Sequence, residues 1–87
     1  MYKILIVEDD RGIAEAIKEQ AKMWDLQAQC VHNFRNVLAD FADCDPHLVL
    51  LDIALPFFNG YHWCSEIRKV SKVPIIFISS ASDNMNI

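Results

Sequence analysis

Three short apolar runs in this chain each end in groups able to do chemistry. Ile4–Val7 leads into Glu8, Asp9 and Asp10; Leu48–Leu51 leads into Asp52; Ile75–Ile78 leads into Ser79 and Ser80. Carboxylates gathered in one place repel one another, so a fold that brings them together needs a cation to share the site. Hard oxygen donors suit Mg²⁺, which keeps several waters and takes only one or two carboxylates directly. Beside such a metal a carboxylate oxygen can act as nucleophile toward phosphorus. A nearby hydroxyl can donate to the phosphoryl oxygens, and positioning with charge neutralisation then does most of the work. Each motif has a plainer reading alone. Asp10 suits the N-cap of the helix that follows, and Asp52 by itself is a common turn residue. The ordered set of three, not any one motif, points to phosphoryl chemistry.

The elements that position these groups follow from hydropathy. Ile4–Val7 and Leu48–Leu51 are unbroken apolar runs, the pattern of strands buried on both faces in a parallel sheet. Arg11 to about Trp24 reads as a helix with Ile13, Ala16, Ile17, Ala21 and Trp24 on one stripe. Gln27–His32 reads as a weaker edge strand, and Phe34 to about Ala42 as a second helix. Pro46 closes the turn after it. Asn59-Gly60 marks a turn before a third helix, Tyr61–Val70, whose inner face is Trp63, Cys64 and Ile67. Val73–Ile78 is the fourth strand, with Pro74 where a missing N–H is tolerated. Strands alternating with helices predict an α/β fold with a parallel sheet covered on both faces. In such a sheet the carboxyl ends of the strands share one edge, which gathers Glu8, Asp9, Asp52 and the two serines.

Composition narrows the function. The 87 residues amount to one small domain, 53% hydrophobic and 23% charged, which is globular rather than disordered. A net charge of -4 and the absence of a basic run argue against this segment gripping nucleic acid by itself. Cys30, Cys44 and Cys64 lack metal or redox spacing, and a reduced, cytoplasmic setting is expected. No stretch approaches the length of a membrane span. His32, His47 and His62 read as structural or surface residues, Trp24 and Trp63 as packing residues, and Arg11 as solvated. Phe57-Phe58 reads equally as an exposed contact or as a pair packed on the third helix.

The segments Ile-Leu-Ile-Val-Glu-Asp-Asp, Leu-Leu-Asp-Ile-Ala-Leu-Pro-Phe-Phe-Asn-Gly and Val-Pro-Ile-Ile-Phe-Ile-Ser-Ser-Ala, in that order, resemble the receiver domain of two-component response regulators. The subgroup most resembled is the OmpR/PhoB-type regulators of resistance to bacitracin, nisin and antimicrobial peptides. The resemblance implies a flavodoxin-like, three-layer α/β fold. It implies that Asp52 accepts a phosphoryl group from a sensor histidine kinase. Asp9, Asp52 and the backbone carbonyl of Ala54 would bind Mg²⁺, with Glu8 acting through water. Ser80 would contact the phosphoryl group, Ser79 fitting that role less well because Ala81 matches the small residue after the family's Thr/Ser. The domain would be a signalling switch, not an enzyme with a metabolic substrate.

The resemblance spans about the first two-thirds of a receiver. Residues 1–87 are thus expected to form a partial domain with strand order 2-1-3-4, without the fourth helix, fifth strand and its lysine, fifth helix or DNA-binding output domain. DNA contact would come only through that output domain. The fourth strand would then be an exposed apolar edge, favouring a homodimer by swapping or edge pairing. Two rivals come from other classes. A Mg²⁺-dependent aspartyl phosphohydrolase or phosphotransferase would usually carry a second acid two residues past the nucleophile, where this chain has Ala54. A non-catalytic flavodoxin-like interaction domain would need no metal.

Overall fold

The computed structural model describes residues 1–78. The elements are β1 (Lys3–Val7), α1 (Arg11–Met23), β2 (Gln27–Cys30), α2 (Val37–Cys44), β3 (Leu48–Asp52), α3 (Gly60–Arg68) and β4 (Ile75–Ile78). All three strand pairings are parallel, as the alternation of elements predicts, and the sheet order is β2-β1-β3-β4, as the resemblance implies. Alternate residues of the central strands feed two cores. Leu5, Val7, Val49 and Leu51 pack with Val37 and Phe41 of α2 and with Trp63 and Ile67 of α3. Ile4 and Ile6 pack on the other side with Ala14 and Ile17 of α1. Helices on both sides of one sheet make three layers.

Each helix starts at a side-chain cap. Asp10, Asn36 and Asn59 accept from the backbone N–H three residues on, those of Ile13, Ala39 and His62. The cap corrects the second helix, which the apolar stripe had placed from Phe34. Asn36 satisfies the open backbone N–H groups, so α2 begins at Val37 and Phe34 stays in the preceding loop, half-buried against the core. Asn36→Ala is expected to lower stability by about 1 kcal/mol in urea denaturation, whereas a helix beginning at Phe34 would put Asn36 in its first turn and make the change nearly neutral.

Trp24 is a second correction. It is the C-cap of α1 and 74% exposed, not part of the packed stripe. Asp25, at φ 60, turns the chain directly after it, so the periodicity stops one residue earlier than read. Ala16 is exposed as well, and Ala14 takes the buried place. Trp63 is buried as expected. The remaining boundaries shift by one or two residues: β2 ends at Cys30 rather than His32, α3 runs Gly60–Arg68, and Pro74 precedes β4, its carbonyl accepting from Val49 N–H at 3.0 Å. His47 is structural, its Nδ1 accepting from Lys3 N–H at 3.0 Å. Among the described residues β4 is an edge strand, with Ile76 52% exposed and Phe77 also exposed. No helix among them is long and apolar enough to cross a membrane.

Candidate phosphoryl-transfer and metal site

The register of the central strands builds the site. Val7 pairs with Leu51, so the next residue on each strand, Glu8 and Asp52, emerges side by side at the carboxyl edge of the sheet. Asp9 follows on the loop to α1. One carboxylate oxygen from each of Glu8, Asp9 and Asp52 lies within 4.8 Å of the other two. Glu8 is 3% and Asp52 1% exposed, while Asp9 is open to solvent. The third acid of the run, Asp10, turns its side chain to the cap of α1. Its backbone N–H donates to Glu8 Oε2 at 3.0 Å. The structure therefore brings together three of the residues expected from sequence and separates Asp10 from them.

Burial is the main reason that the Glu8 carboxyl is pushed up to about 7. The neighbouring Asp52 and Asp9 charges push the same way, and a protonated Glu8 donates to Asp52; only the Asp10 N–H opposes. Without a cation, then, the cluster takes up a proton near neutral pH. That is the fit expected of a divalent-cation site, since three oxygen donors, two of them buried, leave excess negative charge that a hard cation offsets. Glu8 in the unfolded chain titrates near 4.5 and in the fold near 7. Its contribution to stability is therefore full below about 4.5 and lost as pH rises through 7. The metal-free protein should melt at a lower temperature at pH 8 than at pH 6, and Glu8→Gln should raise the pH 8 value and flatten the dependence. A calorimetric melt series checks this; a Glu8→Gln profile as steep as wild type would refute it.

The loop after β3 is held close to the site. Asp52 Oδ1 accepts from Ala54 N–H at 3.3 Å, so Asp52 does form the local turn contact as well as joining the cluster. Gly60 N–H donates to Ile53 O at 2.9 Å, bringing the start of α3 against the backbone beside Asp52. Asn59-Gly60 was legible only as a turn; the close approach of Gly60 was not. Phe58 packs on α3, stacked on His62 at 4.5 Å and edge-on to Trp63 at 5.6 Å. Phe57 faces outward beneath the Arg35 guanidinium, 4.2 Å from the ring centroid. Arg11 lines a small cavity beside Glu8 with Cys30 and His32. Ser79 and Ser80 lie outside the described residues.

Comparison with known proteins agrees with this geometry. Residues 4–87 match the model of the response regulator receiver domain. The sensory transduction protein BceR of Halalkalibacterium halodurans is 46% identical over 80 residues, covering 92% of this chain and 35% of that protein. The chain thus spans about a third of the length of such curated relatives. The N-terminal domain of the nisin resistance regulator NsrR, a lantibiotic response regulator, superposes with a TM-score of 0.86 at 42% identity, over 100% of this chain and 74% of that one. TrrA of Thermotoga maritima, solved with Mg²⁺-BeF, gives 0.84 at 32% identity over 94% of this chain and 72% of its own. TrrA has also been solved in complex with the histidine kinase ThkA, with a TM-score of 0.81 at 30% identity over 98% and 77% of the two chains. A parallel sheet in the order 2-1-3-4, an acidic cluster at its carboxyl edge and a family match over nearly the whole length place this chain in the receiver domain family of response regulators.

Proposed function

We propose that Asp52 is the phosphoacceptor of this receiver and that Glu8, Asp9, Asp52 and the Ala54 carbonyl serve its Mg²⁺. The convergence of three carboxylates, two of them buried, carries this reading. Asp9 and Asp52 would hold the metal, and Glu8 would hold its water, as the resemblance implies. Bound there, Mg²⁺ would neutralise charge on the incoming phosphoryl group. Asp52 supplies the nucleophilic oxygen, and burial keeps its side chain in one place. Ser80 would donate to a phosphoryl oxygen; the pairing of Ile78 with Asp52 supports this, since it brings β4 alongside β3 at the carboxyl edge.

The donor would be a sensor histidine kinase, as ThkA is the partner in the TrrA complex. The output would be regulation of transcription through a DNA-binding domain in the whole protein, in a cytoplasmic setting. The test is intact mass after incubation with a small phosphodonor such as acetyl phosphate. Mg²⁺-dependent gain of one phosphoryl group, lost on treatment with hydroxylamine, is expected. No gain from acetyl phosphate or from any sensor kinase would refute the reading.

A further inference from the structure

The segment from Ile53 to Asn59 carries the Ala54 carbonyl, and both of its ends are tied by backbone contacts near Asp52. Its middle holds an unexpected conformation. Phe58 N–H donates to Pro56 O at 2.8 Å, an i→i+2 bond, and Phe57 between them has φ 70. This is the γ-turn of positive φ, which is rare and strained. A glycine would adopt it without steric cost, and a phenylalanine does not. Burial does not hold the ring there, because Phe57 is 61% exposed. The contact that does lie against it is Arg35, from the loop between β2 and α2. The Arg35 main chain is anchored, its backbone N–H donating to Asn33 Oδ1 at 3.0 Å. Backbone strain persists where the surroundings over-determine it, and such places cluster at functional sites.

We infer that Arg35 and Phe57 form a clamp between the two loops that positions the Ala54 carbonyl for the metal. The inference rests on the reading of Ala54 as a metal ligand given above. Arg35 is a positioning residue here, its charge acting on the Phe57 ring and so on the loop, not directly on the metal. That distinction fixes the sign of the test. A cation near an acidic site, acting by charge alone, weakens Mg²⁺ binding, so its removal would strengthen binding. Removing a clamp weakens it.

The experiment is calorimetric titration of the intact protein with MgCl₂, with a urea melt of each variant alongside. Arg35→Ala and Phe57→Gly are each expected to weaken Mg²⁺ binding by about twofold to fivefold, the range of an exposed cation–π contact. The double variant should be no weaker than either single one. Phe57→Tyr, which keeps the ring, should bind as wild type does and guards against a folding defect in the others. Phe57→Gly should match or exceed wild type in urea, since it relieves the positive φ, while binding metal less well. Unchanged or stronger Mg²⁺ binding by Arg35→Ala overturns the clamp and leaves the metal site standing. Wild type that binds no Mg²⁺ overturns both.

Discussion

Asp52→Asn is expected to abolish phosphoryl uptake while leaving the chain folded. The amide keeps the shape of the carboxylate and its oxygen can still accept from Ala54 N–H, as Asp52 Oδ1 does at 3.3 Å. What it loses is the negative oxygen that attacks phosphorus, and among the described residues no second nucleophile stands in its place: Glu8 is buried with its carboxyl pushed up to about 7, and Asp9 is exposed at the rim. The fall in phosphorylated protein, read by intact mass, should be at least a thousandfold, the scale of losing a covalent nucleophile. The same substitution removes one of three mutually repelling charges. Stability of the metal-free protein at pH 8 should therefore rise, by about 1 kcal/mol or more. Mg²⁺ affinity should fall, because one of the oxygen donors is now neutral. A variant that still takes up phosphate, or that unfolds, would show that Asp52 is a structural turn residue instead. A non-catalytic interaction domain of the same fold would take up no phosphate to lose and would show no change in Mg²⁺ affinity.

The strands were legible because apolar runs are a short-range signal, while their order, which sets β1 beside β3, came from the family resemblance. Unbroken apolar runs gave β1 and β3, and parallel pairing of neighbouring strands put Glu8 beside Asp52. The losses lie where a side chain overrides periodicity. Asn36 moved the start of α2 by three residues, since a cap satisfies the first backbone N–H groups more effectively than a further apolar residue extends the stripe. Trp24 looked like the last packed position of α1, but the turn at Asp25 leaves it in solvent. The conformation of Phe57 has no sequence signal at all, because phenylalanine disfavours positive φ and only the fold around it imposes one. Its contact with Arg35 joins loops 22 residues apart in sequence, a pairing no local pattern marks. Gly60 was legible as part of a turn, yet its real constraint is proximity, not conformation: its φ is not positive.

That proximity makes Gly60→Ala the other large effect. A Cβ built on Gly60 meets the backbone oxygen of Asp52 inside contact distance and lies 2.9 Å from Ile53 Cα. Both neighbours are main chain, so no side chain can rotate away to make room. Gly60 is the first residue of α3, capped by Asn59, and its N–H donates to Ile53 O at 2.9 Å. Accommodating a methyl group means separating α3 from the end of β3 and stretching that hydrogen bond. Overpacking of this kind costs about 3 kcal/mol, at the upper end of its usual range because backbone must move. Gly12 provides the contrast. It also sits in the first turn of a helix, but its Cβ would meet only the flexible Asp10 Oδ1, at 3.3 Å. Gly12→Ala should be neutral or stabilising by up to about 1 kcal/mol, since alanine loses less backbone freedom in a helix. Urea denaturation of the two variants side by side checks the pair, and similar midpoints would show that helix propensity, not the approach to Asp52, governs both positions. The movement also reaches the chemistry. Asp52 and Ile53 are the residues displaced, so any Gly60→Ala protein that folds should take up phosphate more slowly than wild type, whereas Gly12→Ala should match it.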